Sequence, residues 1–269
     1  NKTYKLQEDL QMNIIAIVNQ KGGVAKTTSS LNIAVGLGKK GKKVLLIDFD
    51  PQANATTGLG IDKIELEYTV YDLLKKFDYP QFRELEFEKI VINKMGIDIL
   101  PTNIKMSRID TELGGFPGKE NYLKDIVKTL PDYDYIIIDC PPSLSTLTHN
   151  ALTVATDIYV PVKADYYSIE GIADLLDEVS MIKRKLNENL KVSGVFITMA
   201  NTRTNLFNET REKLQKYFPE EMFNTFIRSS EDVNKSPSEG KPVIEFNPKS
   251  TSAMDYLDLV DEIIERNEK

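Results

Sequence analysis

The run Asn13-Ile-Ile-Ala-Ile-Val18, followed at once by Asn19-Gln-Lys-Gly-Gly-Val-Ala-Lys-Thr-Thr28, constrains this chain more than any other stretch. The apolar run is too short for a free-standing helix and ends in a Gly-Gly turn, so it reads as a buried strand. Residues 27–39 then place Leu31, Ala34, Val35 and Leu37 on one face, as a helix does. Similar runs recur at Lys43-Val-Leu-Leu-Ile47, Ile97-Asp-Ile-Leu100, Tyr135-Ile-Ile-Ile138, Asp157-Ile-Tyr-Val-Pro-Val162 and Val192-Ser-Gly-Val-Phe-Ile197, with a weaker one at Met222–Ile227. They are continuous rather than alternating, the habit of parallel strands covered on both faces. Helical patterns fall between them, near 69–76, 119–130, 145–155, 168–187, 205–217 and 251–266, with Ser168 as an N-cap. Strands alternating with helices give an α/β fold: a doubly wound, mostly parallel sheet with helices on both faces. The 269 residues allow one large domain or two small ones. No linker or repeat interrupts the pattern, so we expect a short N-terminal extension over 1–12 and one domain over 13–269. The irregular segment 56–95 reads as a small helical insertion.

The loop between the first strand and helix carries its own chemistry. A glycine-rich turn exposes backbone N–H groups, and the following helix adds its positive N-terminal end. Lys26 can reach terminal phosphates as a point charge, and the Thr27 hydroxyl can ligate Mg²⁺. The pattern G-x-x-x-x-G-K-[ST] is not met in full, because Gln20 and Ala25 stand at its glycine positions. What stands instead is K-G-G-x-x-K-[ST]-T, with Lys21 five residues before Lys26. This is the deviant, signature-lysine form of a nucleoside-triphosphate cradle. The dinucleotide pattern G-x-G-x-x-G is absent.

Two further strands end in carboxylates. Asp48 and Asp50 are two apart, so in extended chain they share a face at the end of the second strand. Carboxyl ends of strands surround the ligand crevice in such sheets, where this pair can hold a metal's water shell and orient an attacking water. Asp139 ends the run Tyr135–Asp139, where a Walker B acid meets Mg²⁺. Pro141-Pro142 stiffens the chain leaving it.

With these elements the sequence resembles the ParA-type partition ATPases, in the Soj-like branch of the deviant P-loop class. The matching stretches are Lys21-Gly-Gly-Val-Ala-Lys-Thr-Thr28, Asp48-Phe-Asp-Pro-Gln-Ala-Asn54, Ile138-Asp-Cys-Pro-Pro-Ser143, Thr202-Arg-Thr-Asn205 and Pro237-Ser-Glu-Gly-Lys-Pro242, and the similarity runs from about residue 13 to 266. The long N-terminal helix-turn-helix of some members is missing, which suits the short type. The resemblance implies a Mg²⁺-dependent ATPase whose loop, Lys21, Gly22, Gly23, Val24, Ala25, Lys26, Thr27 and Thr28, holds the phosphates. It implies that Lys21 reaches across a nucleotide-sandwich homodimer, that Asp50 positions the attacking water, and that Thr27, Asp48 and Asp139 hold Mg²⁺. Asn201 follows a strand end where related ATPases contact adenine. The ATP-bound dimer of the family binds DNA without sequence preference and is released on hydrolysis stimulated by a ParB-type centromere-binding partner. Arg203 matches a DNA-contacting arginine of that family. At the two arginine positions of the second patch stand Ser229 and Asp232, so Arg228 and Lys235 are the nearby substitutes.

Charge, cysteine and hydropathy narrow the alternatives. The chain carries 34 basic and 41 acidic residues, net −7, so any DNA surface must be local. Residues 203–249 hold eight of each sign. A MinD-like membrane-associated positioning ATPase is the alternative reading. It needs a C-terminal amphipathic helix with a basic polar face. Here Asp255–Lys269 presents an acidic one, so no membrane partner is expected. An iron–sulfur ATPase needs two thiolates per subunit for a bridged cluster, and the chain has one cysteine, Cys140. No signal peptide is visible, no apolar stretch reaches about 18 residues, and one cysteine forms no internal disulfide. A cytoplasmic protein, nucleoid-associated when ATP-bound, is the expectation.

Overall fold

The computed structural model describes residues 12–165 and 170–268. Residues 1–11 of the expected extension, and Ser168 with its expected capping role, lie outside the described residues. Among those described are seven strands: β1 (Asn13–Ile17), β2 (Val44–Asp48), β3 (Ile92–Lys94), β4 (Ile97–Leu100), β5 (Tyr135–Asp139), β6 (Asp157–Lys163) and β7 (Lys191–Thr198). The helices are α1 (Lys26–Lys39), α2 (Asn54–Gly58), α3 (Val70–Leu74), α4 (Ile109–Leu113), α5 (Tyr122–Val127), α6 (Thr146–Val154), α7 (Glu170–Lys185), α8 (Asn205–Tyr217), α9 (Glu231–Lys235), α10 (Val243–Phe246) and α11 (Thr251–Asn267). The strands form one sheet in the order β3-β4-β2-β5-β1-β6-β7, parallel throughout except for β3 against β4.

The continuous apolar runs do what two-sided burial demands. Along β1, Ile14 and Ala16 join one core while Ile15 and Ile17 join the other. The first core lies under α3 to α8, with Leu73, Leu123, Leu152 and Leu175 fully or almost fully buried. The second lies under α1, α10 and α11, where Leu37, Val260 and Ile263 are fully buried. β1 sits between β5 and β6, so the loops leaving β1, β2 and β5 open at one edge of the sheet, where a doubly wound fold binds its ligand.

Two expectations are corrected. The last residues of the irregular segment form strand β3 rather than helix, turned onto β4 through Met95 (φ 51°) and Gly96 (φ 80°). Met95 is a poor residue for a left-handed position, which is why this hairpin turn carries a weak sequence signal. Met222–Ile227 is not a strand. It meets β7 at its two ends and not between them: the Phe223 N–H donates to the Val195 carbonyl and the Ile227 N–H to the Ile197 carbonyl, each at 2.8 Å, and Ala200 meets Arg228 just beyond both elements. The N–H groups of Asn224 and Thr225, in the middle of the run, donate to the Glu262 carboxylate on α11 at 2.9 and 3.0 Å. Donors spent on a side chain cannot build a ladder.

Candidate active site

Residues 19–25 carry the chain from β1 into α1. Gly23 (φ 70°) and Ala25 (φ 65°) are both left-handed. Ala25 is the N-cap of α1 and supplies no side-chain acceptor, so the first N–H groups of this 14-residue helix stay available at its positive end. The loop is fastened at both flanks. Asn19 Nδ2 donates to the Pro161 carbonyl at 2.9 Å, and Asn19 Oδ1 accepts from the Lys21 N–H at 2.9 Å. Thr198 Oγ1 donates to the Val24 carbonyl at 3.0 Å. Neither Asn19 nor Thr198 was singled out by sequence, since partners about 140 to 170 residues away leave no spacing to read. Inside the loop, Lys26 Nζ donates to the Lys21 carbonyl at 3.1 Å and its side chain is buried. Burial lowers the Lys26 pKa, against the attraction of Asp139 and other neighbours.

Asp48 and Asp139 stand in register on neighbouring strands, both with no exposed surface. Burial raises the pKa of each, and for Asp139 the facing Asp48 charge adds to it. Asp139 Oδ1 accepts from Ser30 Oγ at 2.9 Å, while Asp139 Oδ2 is buried with no hydrogen-bond partner among the described residues. Asp48 Oδ2 accepts both the N–H and the hydroxyl of Thr56, each at 2.7 Å. Asp50, nearly buried, accepts the Gln52 N–H at 2.9 Å. The structure thus brings Lys26, Asp50 and Asp139 to one crevice, but turns Asp48 toward the chain's own α2.

An orphaned carboxylate oxygen beside the Thr27 hydroxyl suits a divalent cation. Mg²⁺ is held by one or two carboxylates plus phosphate oxygens rather than by an all-protein cage. No group of three or more His, Cys, Asp or Glu suited to a metal occurs among the described residues, as that mode allows. Lys21 points away from its own loop: its Nζ donates to Asp165 Oδ1 and Oδ2 at 2.5 and 2.6 Å.

Comparison with known proteins places the whole chain in a family. Residues 12–192 match the AAA domain family. The sporulation initiation inhibitor protein Soj of Bacillus subtilis is 43% identical over 251 residues, 93% of this chain and 97% of that one. The chromosome partitioning protein ParA of Caulobacter vibrioides is 34% identical over 258 residues, 95% of each chain. The chain belongs to the ParA/Soj family of partition ATPases. Among solved structures, cobyrinic acid a,c-diamide synthase from Mycobacterium smegmatis with bound ADP and magnesium superposes with a TM-score of 0.82 at 29% identity, covering 96% of both chains.

In this ParA-type chain a second recess adjoins the phosphate loop, lined by Ala25, Met199, Ser229, Val233, Asn234 and Tyr256 among others. Asn201 is not among its lining residues; its side chain accepts the Arg203 N–H in a turn. The basic candidates are dispersed. Arg203 is exposed. Arg228 Nε and Nη2 fork onto the buried Asp255 carboxylate at 2.5–3.1 Å, and its N–H adds a fourth bond. Lys235 pairs with Glu231 one turn back on α9. Beyond α9, Gly240 (φ 61°) presses on Gly60 (φ 70°), so that a Cβ at Gly240 would stand 2.6 Å from the Gly60 Cα. No described helix is long and apolar enough to cross a membrane.

Proposed function

We propose that this ParA-type chain binds ATP with Mg²⁺ at the crevice of β1, β2 and β5, hydrolyses it, and uses the cycle to partition DNA. The observation that carries this is the buried ammonium of Lys26, held by its own loop beside the partnerless oxygen of Asp139. A desolvated cation and a desolvated carboxylate side by side, with uncapped helix N–H groups, suit a triphosphate and its counterion.

The residues divide the work by position. The amides of Gly22 to Thr28 cradle the phosphates, and Lys26 neutralises the oxygens where charge builds up. Thr27 and Asp139 would hold Mg²⁺, which when bound screens the phosphate charge. Asp50 orients the attacking water, whose oxygen forms the new bond to phosphorus as the bond to ADP breaks, leaving ADP and inorganic phosphate. The recess beside Ala25 is where the base would sit. For Lys21 to reach the nucleotide of a second copy it must leave Asp165, so dimer formation exchanges an ion pair within the chain for one across the interface. Arg203, Arg228 and Lys235 would contact DNA without sequence preference, and a ParB-type partner would stimulate hydrolysis. Nucleoid association of the ATP-bound dimer follows from the same reading.

The test is Mg²⁺-dependent phosphate release, repeated with Asp50→Ala, with light scattering and DNA retention read on both proteins. Release that disappears in the variant, together with ATP-dependent dimers that retain DNA, is expected. Release unaffected by Asp50→Ala would falsify the assignment of Asp50.

A further inference from the structure

Thr56 belongs to none of the motifs that mark the crevice, yet it is fully buried and wholly engaged there. It is the third residue of α2, and its N–H is one of the donors that a helix start leaves without an intrahelical partner. Ala53, the N-cap, is left-handed and has no side-chain acceptor to offer. The cap comes instead from Asp48, eight residues upstream at the end of β2. One carboxylate oxygen, Asp48 Oδ2, takes both the N–H and the hydroxyl of Thr56 at 2.7 Å. The same hydroxyl accepts the Thr102 N–H at 3.0 Å, just past β4.

The loop closed by this clasp is the one that carries Asp50. Within it, the Asp50 N–H lies 3.4 Å from Asp48 Oδ1, the Asp50 carbonyl accepts the Ala53 N–H at 2.8 Å, and the Asp50 carboxylate accepts the Gln52 N–H at 2.9 Å. These bonds are internal to 48–53. The main chain of the loop is also held by the Phe49 N–H to the Asp139 carbonyl at 3.0 Å and by Lys63 Nζ to the Gln52 carbonyl at 2.8 Å. Among the described residues, though, the Asp50 side chain bonds only within the loop, so its direction follows from how the loop's two ends are held. Asp48 holds one end and Thr56 the other.

We propose that Thr56 is a positioning residue for Asp50: it binds Asp48 to the start of α2 and to the end of β4, and so aims the Asp50 carboxylate into the crevice. Asp48 is then the fixed half of a clasp rather than part of a metal shell. This rests on the reading that Asp50 orients the attacking water. A misaimed group of this type lowers turnover without loosening the nucleotide, because the phosphate loop and Lys26 are anchored separately to β6 and β7.

The experiment compares wild type, Thr56→Val and Thr56→Ser for kcat, ATP affinity, apparent Mg²⁺ affinity and Tm. Valine keeps the shape and removes the hydroxyl; serine restores it. The expected result is a loss of about tenfold in kcat for Thr56→Val with ATP and Mg²⁺ affinities within about twofold of wild type, and a return to near wild-type turnover in Thr56→Ser. Thr56→Val with wild-type kcat overturns the clasp, as does Thr56→Ser failing to recover. If Thr56→Val does not fold, Asp48→Asn reads the same question from the other half. Reduced kcat at unchanged Mg²⁺ affinity supports the clasp, and weakened Mg²⁺ affinity returns Asp48 to the metal and overturns it. A wild-type protein that releases no phosphate sinks the hydrolysis reading itself, whereas an active wild type with an indifferent Thr56→Val sinks only the clasp.

Discussion

The site that gathers Lys26 at the start of α1 with Asp48 and Asp139 at strand ends, and the segment that runs from Arg203 to Lys235, are both expected to meet phosphate, yet they are built in opposite ways. At the first site the charged groups are buried, and their surroundings are fixed by bonds from β2, β4, β5, β6 and β7. In the other segment Arg203 and Lys235 stand in solvent, and Arg228 is half-exposed above a buried carboxylate. A buried charge is tolerable only where the fold supplies its partners, so its neighbours are dictated. An exposed charge gains little from any one partner and can change partners freely. The first region therefore reads as chemistry in almost any context, and the second acquires meaning only with its ligand.

Four measurements press on this contrast. The largest effect should come from Lys26→Ala, which removes a charge-assisted phosphate contact; ATP affinity by calorimetry should fall on the order of 100-fold. Unchanged affinity would break the contrast at its strong end. Next is pH. The Asp139 carboxyl is pushed up to about 8 by burial and by Asp48, so the folded chain binds a proton that the unfolded chain has released. The contribution of this group to the stability of the nucleotide-free protein is then greatest below the ordinary carboxylate range and is lost as pH rises toward 8. Tm should drop by roughly 5 °C between pH 5 and 8, and Asp139→Asn should flatten that slope. A wild-type Tm that rises over this interval contradicts the burial argument.

Arg228→Ala should cost roughly 1–2 kcal/mol, less than a fully buried pair because the guanidinium is half-exposed, since it strips Asp255 of its cation. Thermal melts check this. If DNA retention falls while Tm stays put, Arg228 belongs with the exposed contacts rather than with the framework. The smallest effect on the fold is expected from Arg203→Ala. Tm should not move, while the logarithmic salt dependence of DNA retention should become shallower by about 0.9 per lost contact, about 1.8 for a dimer. An unchanged salt slope removes Arg203 from the DNA surface.

What the sequence made legible follows the same line. Parallel strands buried on both faces announce themselves as unbroken apolar runs, so β1, β2, β4, β5, β6 and β7 could be placed to within a residue or so. The phosphate loop was readable because Gly23, Lys26 and Thr27 are neighbours in sequence. The bond from Thr198 to Val24 and the pairing of Lys21 with Asp165 were not, because the sheet makes them neighbours across more than 140 residues. Asp48 was legible as a strand-end acid, but its commitment to Thr56 was not: a carboxylate aimed at metal and one aimed at a helix start have the same sequence neighbours. Met222–Ile227 failed for the related reason that Glu262, 35 or more residues downstream, takes the backbone donors a strand would need.

The meeting of Gly60 and Gly240 has a mechanical meaning. The turn just past α2 and the bend just past α9 touch main chain to main chain, with no flexible side chain between them to give way. Close-packed backbone transmits a displacement instead of absorbing it. At this one point the turn after α2 and the bend after α9 can shift only together, like meshed teeth, because neither Gly60 nor Gly240 has a side chain to yield.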